Sequence, residues 1–237
     1  MILFPAIDLF EKKAVRLYKG DYANMTVYSE NPIEIARDFE AKGCTHIHMV
    51  DLEGAKDGTT PNIKVVAQVA RETSLFVEIG GGIRSMETVA KYLDAGVSRV
   101  ILGTAAVNDE TFLREAVAKY GGKIAVGADV KDGCIAIKGW LETSAVTLEA
   151  FLQKMEHIGV KNIICTDISK DGAMQGTNLA LYRQLSEQFR LDITASGGVS
   201  TMEDIRKLRE MKLYGAIIGK AYYTGAIDLA EALEVAK

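Results

Sequence analysis

The sequence predicts an α/β protein, a single (β/α)8 TIM barrel with a two-fold half-barrel repeat. Three observations carry this expectation. Eight short β-rich runs alternate with eight amphipathic runs of helical length. The β-rich runs are mostly continuous in apolar character, as parallel strands covered on both faces are. The whole fits within 237 residues, and single α/β barrels often run to roughly 200–250. An open, doubly wound sheet is the structural alternative.

The first strand is expected at residues 2–8, ILFPAID. The segment around it, MILFPAIDLF, is apolar but has no basic leader region and no small-residue cleavage site. It therefore reads as a buried strand and not as a signal peptide. Further strands are expected at 46–51, 75–80, 99–103, 123–129, 162–167, 192–196 and 215–219. Helical runs follow at 32–43, 61–72, 85–96, 109–121, 147–159, 178–189, 201–211 and 226–237. Several begin with Pro, Ser, Thr, Asp or Asn and several end in Gly, the usual start and stop signals of helices. The loops expected after the first strand (9–30) and the fifth (130–145) are long, and the one after the sixth (168–176) is intermediate. Loops beyond ~12–15 residues usually serve function, often as lids. No linker or low-complexity tract is visible, so residues 1–237 are read as one domain with halves of about 1–120 and 121–237.

The repeat is visible residue by residue. GGGIRSMETV (80–89) returns as SGGVSTMEDI (196–205). Gly82 matches Gly198, Gly103 matches Gly219, Asp51 matches Asp167 and Asn62 matches Asn178, all 116 positions apart. Asp8 matches Asp129 at 121, because the first loop carries five extra residues. Several matches in one register make chance a poor explanation.

Composition narrows the function. Apolar residues at 48% and charged residues at 25% describe an ordinary soluble globule. A net charge of −4 and a pI near 5.5 argue against a nucleic-acid partner, while leaving room for local basic sites. No apolar run approaches a membrane span. Three scattered cysteines, Cys44, Cys134 and Cys165, suit a reducing cytoplasm better than a disulfide framework. The chain is expected to be cytoplasmic and to act as a monomer.

In a barrel, chemistry sits where strands end. Glycines close the third and fourth strands (Gly82, Gly103) and the seventh and eighth (Gly198, Gly219). Glycine lets backbone approach a ligand closely, and a following helix start favours an anion. One such site alone would be read as a tight turn; two in matched halves point to phosphate binding. Thr104 follows Gly103, and Arg84 and Lys220 supply cationic donors nearby. A substrate with a phosphate at each end suits the arrangement. Asp8 and Asp129 end opposite strands between the two sites, as a general base and a general acid would. Asp51 and Asp167 are matched too, so position alone leaves the catalytic pair open; Asp51 could instead orient loops. Trp140, the single tryptophan, lies in KGWLET and suits stacking on a flat heterocycle. Arg16 can reach a phosphate or a ring substituent. His46 and His48 lack an evident third ligand, so no metal site is read. Regular alternation turns them away from Asp51, towards the helices. Nothing marks Cys165 as a nucleophile, and no Rossmann or Walker motif is present.

Taken together, PAIDL, VRLYKGDY, VDLEGA, GGGIRS, GTAAV, KGW, KDG, SGGVS and GKAYY resemble the isomerase family of histidine biosynthesis over essentially the whole chain. The sister cyclase of imidazole glycerol phosphate synthesis shares the half-barrel repeat. It opens with a Cys-Leu-Asp type strand end, where this chain has Ala6-Ile7-Asp8. The resemblance implies an Amadori rearrangement of a bisphosphorylated aminoaldose, a phosphoribosylformimino aminoimidazole carboxamide ribotide, to its ketose. It implies no metal and no organic cofactor. By the same resemblance Asp8 takes the proton from ribose C2′ and Asp129 protonates the ring oxygen. Thr166 assists them, Trp140 stacks on a ring, and Arg16, Arg84 and Asp171 hold substituents. Alternative readings are a bifunctional isomerase that also accepts phosphoribosylanthranilate, the cyclase, and a non-catalytic phosphosugar-binding barrel.

Overall fold

A computed structural model describes every residue except Lys19. Eight parallel strands form its centre: β1 (Ile2–Phe10), β2 (His46–Asp51), β3 (Phe76–Gly80), β4 (Arg99–Leu102), β5 (Ile124–Lys131), β6 (Asn162–Asp167), β7 (Asp192–Ser196) and β8 (Gly215–Ile218). Each pairs in parallel with the next, and β8 pairs back onto β1, Ile2 opposite Gly215. The eight strands therefore close into a TIM barrel, and the open doubly wound alternative falls.

Eight principal helices follow the strands: α1 (Pro32–Ala41), α2 (Ile63–Glu72), α3 (Met86–Asp94), α4 (Glu110–Tyr120), α5 (Leu148–Ile158), α6 (Leu179–Gln188), α7 (Met202–Glu210) and α8 (Leu229–Ala236). Their starts obey local chemistry. The Ser85 hydroxyl accepts from the Thr88 amide, and Thr201 and Asp204 form a reciprocal capping box. The apolar face of each helix packs on outward strand residues such as Ile7, Val77, Val100 and Val126, all fully buried. The inward residues Phe4, Ala6, Ile101, Ala125, Ile164 and Ile217 form a separate apolar plug inside the barrel.

One part of the interior is not apolar. Alternation along β3 and β4 turns Glu78 and Arg99 inward, with 1% and 6% of their surface exposed. Arg99 Nη1 lies 3.3 Å from Glu78 Oε2, and Arg99 Nη2 donates to the Tyr214 hydroxyl at 3.1 Å. Its guanidinium also lies over the rings of Phe76 and Tyr214. Taking such ions out of water costs several kcal/mol each, so a buried pair is weak evidence of stabilisation.

The segments expected as loops after the first and fifth strands are antiparallel hairpins. The first consists of Lys13–Tyr18 and Asp21–Ser29, and its inner arm pairs with the end of β1, Asp8 opposite Val15. The second consists of Cys134–Ile137 and Glu142–Thr147, and it continues β5, Val130 opposite Ile135. Their outer arms, ANMTVYS and ETSAVT, are rich in β-branched residues and mostly exposed. The two hairpins meet over the barrel mouth. A Cβ on Gly20 would stand 2.6 Å from the Trp140 ring, so the indole rests on bare backbone.

The turn after β3 is equally close-packed. Gly81 (φ +116°) and Gly82 (φ +68°) pass so near the Asp51 and Gly54 carbonyls that a Cβ on either would collide with them. Gly197 and Gly198 make the matching approach to Asp167 and Gly176 after β7. Gly82→Ala is expected to lower unfolding stability by more than the ~1–2 kcal/mol of a left-handed conformation alone, because the blocking atoms are backbone. Urea denaturation measures this; an unchanged midpoint would show that the turn relaxes without cost.

Candidate active site

A cavity opens at the C-terminal ends of the strands. Asp8 on β1 and Asp129 on β5 face each other across it, four strands apart in the ring. Both follow from alternation: Phe4, Ala6 and Asp8 share the inner face of β1, and Ala125, Gly127 and Asp129 that of β5. Thr166 on β6 and Asp171 just beyond it complete the polar wall.

The two carboxylates have different surroundings. Asp8 is paired with Arg16, whose Nη1 lies 3.0 Å from Oδ2. Burial works against the Arg16 charge, but Asp8 and Asp171 beside it prevail and raise its pKa. Among the described residues no cationic side chain is bonded to Asp129. Burial pushes its pKa above the ordinary carboxylate value, against hydrogen bonds from Trp140 and Thr166 and the nearby His48. Burial also raises Asp171, opposed by Arg16 and reinforced by Asp8 and Asp129. One carboxylate is thus held beside a guanidinium and the other is biased towards its protonated form, the asymmetry that a base and an acid require.

The matched glycines form two cups. Gly103 (φ −96°, ψ −110°) and Gly219 (φ −100°, ψ −107°) adopt nearly one conformation, each opening a short helix, Thr104–Asn108 and Lys220–Tyr223. Gly82, Arg84, Gly103 and Thr104 border the cavity. Arg84 donates to the Ala55 carbonyl at 3.2 Å and packs on Gly58. The second cup lies apart from that cavity. The Arg16 guanidinium lies directly against Gly219, and Lys220 Nζ donates to the Gly172 carbonyl at 3.2 Å. Of the residues assigned from sequence to catalysis, substrate or phosphate, Gly198, Gly219 and Lys220 are therefore the ones outside the continuous wall.

Asp51 and Asp167 turn outward and organise loops. Asp51 is fully buried; it accepts from the Gly54 amide at 3.0 Å and from Asn62 Nδ2 at 2.8 Å. Asp167 accepts from Asn178 Nδ2 at 2.7 Å and from the Ser169 amide at 2.9 Å. This resolves which aspartates face the cavity, and it corrects the orientation expected for the histidines. Because Asp51 points out of the barrel, His46 and His48 on the opposite face of β2 point in. His48 lines the cavity, and its Nδ1 lies 2.8 Å from Glu78 Oε1. Sequence reasoning missed His48 through that parity error. It missed Tyr22 because the residue reaches the cavity from a hairpin; its hydroxyl donates to the Leu52 carbonyl at 2.8 Å. Cys165 is sealed and its thiol pKa is raised by burial, in keeping with an inert thiol.

A family model described as "Histidine biosynthesis protein" matches residues 2–228. A protein of Oceanobacillus iheyensis is 50% identical over 99% of this chain and 98% of its own length. One of Clostridium beijerinckii is 48% identical over 100% of this chain and 99% of its own. One of Lactococcus lactis is 51% identical over 97% of each. All three carry the name 1-(5-phosphoribosyl)-5-((5-phosphoribosylamino)methylideneamino) imidazole-4-carboxamide isomerase.

The Asp129 environment has a consequence for stability. Its pKa is raised on folding, so the folded state loses stability as pH rises through the unfolded-state value and on up to the folded one. Asp129→Asn, which removes the charge and keeps an acceptor, is expected to raise the urea midpoint at pH ~7, with the gain vanishing below pH ~4. A variant less stable than wild type at neutral pH would contradict the assignment.

Proposed function

Because the chain belongs to the histidine biosynthesis protein family, we propose that it catalyses the aldose–ketose isomerisation named for its relatives. The aminoaldose ribotide would become its ketose by an Amadori rearrangement. The observation that carries this reading is the pair of opposed, differently poised carboxylates in one cavity.

In this mechanism the cups take the two phosphates, Gly82, Gly103 and Thr104 at one end and Gly198, Gly219 and Lys220 at the other. Backbone amides at the helix starts and the Lys220 ammonium balance the negative charge. Asp129, biased towards its protonated form, gives a proton to the ribose ring oxygen and the ring opens to a Schiff base. Thr166, which donates to Asp129, keeps that carboxyl aligned. Asp8 then removes the C2′ proton, and the enolamine formed tautomerises to the ketone. Arg16 lies between Asp8 and the second cup, so an arriving phosphate competes with Asp8 for it. That competition would free the base when substrate is seated. Arg84 and Asp171 hold substituents, and Trp140 offers its ring face to the heterocycle. The named relatives favour this reading over the cyclase and the binding module. We further read the chain as one domain of two half-barrels, acting as a cytoplasmic monomer. No helix among the described residues is long and apolar enough to cross a membrane.

Single-turnover conversion of the aminoaldose ribotide tests the reading. Wild type is expected to form the ketose, and Asp8→Asn and Asp129→Asn each to lose ~10²–10⁴-fold in rate while still binding the bisphosphate. Binding without turnover by wild type would sink it. Gly103 has open space around it, so a methyl group there points towards the ligand, and Gly103→Ala is expected to weaken substrate binding, read as a higher KM. An unchanged KM would remove Gly103 from the phosphate site.

A further inference from the structure

Glu78 takes no part in the mechanism above, yet it sits inside the barrel with 1% of its surface exposed and bonds a residue of the cavity wall. TIM-barrel interiors are dominated by branched aliphatic side chains, so a carboxylate at this position calls for a function. Its two oxygens are divided. Oε2 faces Arg99 Nη1 at 3.3 Å, and Oε1 faces His48 Nδ1 at 2.8 Å. Arg99 is itself anchored to the Tyr214 hydroxyl. The strap runs from the barrel floor to the cavity, Tyr214 to Arg99 to Glu78 to His48, and ends on the imidazole.

We infer that Glu78 is a positioning residue of the site: it fixes the His48 imidazole as its Nδ1–H tautomer, so that Nε2 faces the cavity as a hydrogen-bond acceptor. A carboxylate only accepts, so the shared proton belongs to Nδ1. The outer nitrogen of the neutral ring then carries a lone pair and no proton. Among the described residues Nε2 has no protein partner, and it opens to the cavity that His48 lines. Such an acceptor takes a hydroxyl donor, and a sugar phosphate supplies several. Arg99 explains why the carboxylate does not swing away: it pins the second oxygen. The same logic governs metal-binding histidines, whose outer nitrogen is set by what the inner one bonds.

The kinetic part of the test rests on the isomerase reading; the tautomer is measured without turnover, so the two can fail separately. Nitrogen-15 spectra of the imidazoles are simple here, because the chain has three histidines. Well above the usual imidazole range, His48 is expected to show Nδ1–H; an Nε2–H tautomer in wild type would overturn the inference outright. Two double variants then separate positioning from structure. Glu78→Gln with Arg99→Met keeps an acceptor for Nδ1–H and leaves no orphaned charge. Glu78→Met with Arg99→Met removes the acceptor as well. The first is expected to keep the Nδ1–H tautomer and most of the wild-type kcat/KM. The second is expected to lose the tautomer preference and roughly tenfold in kcat/KM, the scale of one hydrogen bond to substrate. That loss should disappear when His48→Phe is already present. Two folded double variants with equal tautomers and equal kcat/KM would show that Glu78 is only structural. Should the Met–Met protein fail to fold, the wild-type spectrum and the Gln–Met variant still decide the matter.

Discussion

The site depends on a backbone approach made twice. After β3 and again after β7, a glycine pair runs against the carbonyls of the preceding strand end and its loop: Asp51 and Gly54 in one case, Asp167 and Gly176 in the other. A side chain at these points would force the turns apart. The outward aspartates complete the arrangement, each tying its loop to a distant asparagine, Asn62 or Asn178. With these turns locked, the neighbouring strands end in Gly103 and Gly219 at almost identical dihedral angles. One of these glycines borders the cavity with the inward aspartates of β1 and β5, and the other lies behind Arg16, the partner of Asp8.

Much of this is legible in the residue order, because it is carried by periodicity and by glycine. Parallel strands buried on both faces read as continuous apolar runs, and a repeat in a single register pairs Asp8 with Asp129 before any coordinates are known. The ambiguity between that pair and Asp51 with Asp167 is not resolvable at that level. It turns on which face of a strand is inside, and a continuous apolar run carries no parity signal. The inverted orientation expected for His48 comes from the same gap. Glu78 and Arg99 were silent for another reason: a charged residue in VEIG or SRVILG looks like a strand end in water until its partner, 21 residues away, is seen beside it. The hairpins read as loops in the sequence because their outer arms are exposed and carry no core pattern.

The electrostatics follow a division of labour between opposite walls. Near β1 the charges are paired, Asp8 with Arg16, and Asp171 adds to the field that holds the guanidinium. Near β5 the carboxyl is enclosed and is met by neutral donors from Trp140 and Thr166. Both residues are aspartates at matched strand ends, so identity contributes nothing to the difference between them; neighbours contribute all of it. A duplicated scaffold can in this way supply two unlike chemical groups from one residue type, by changing only what packs around each copy.

Trp140 belongs both to this electrostatic wall and to the roof. Its ring rests on the bare backbone of Gly20, in the opposite hairpin, and its indole nitrogen serves Asp129. Displacing the hairpin that carries Trp140 would therefore do more than open a door: it would withdraw a donor from the enclosed carboxyl and admit water around it. Access to the chamber and the proton affinity of the group inside it thus rest on one shared residue, Trp140.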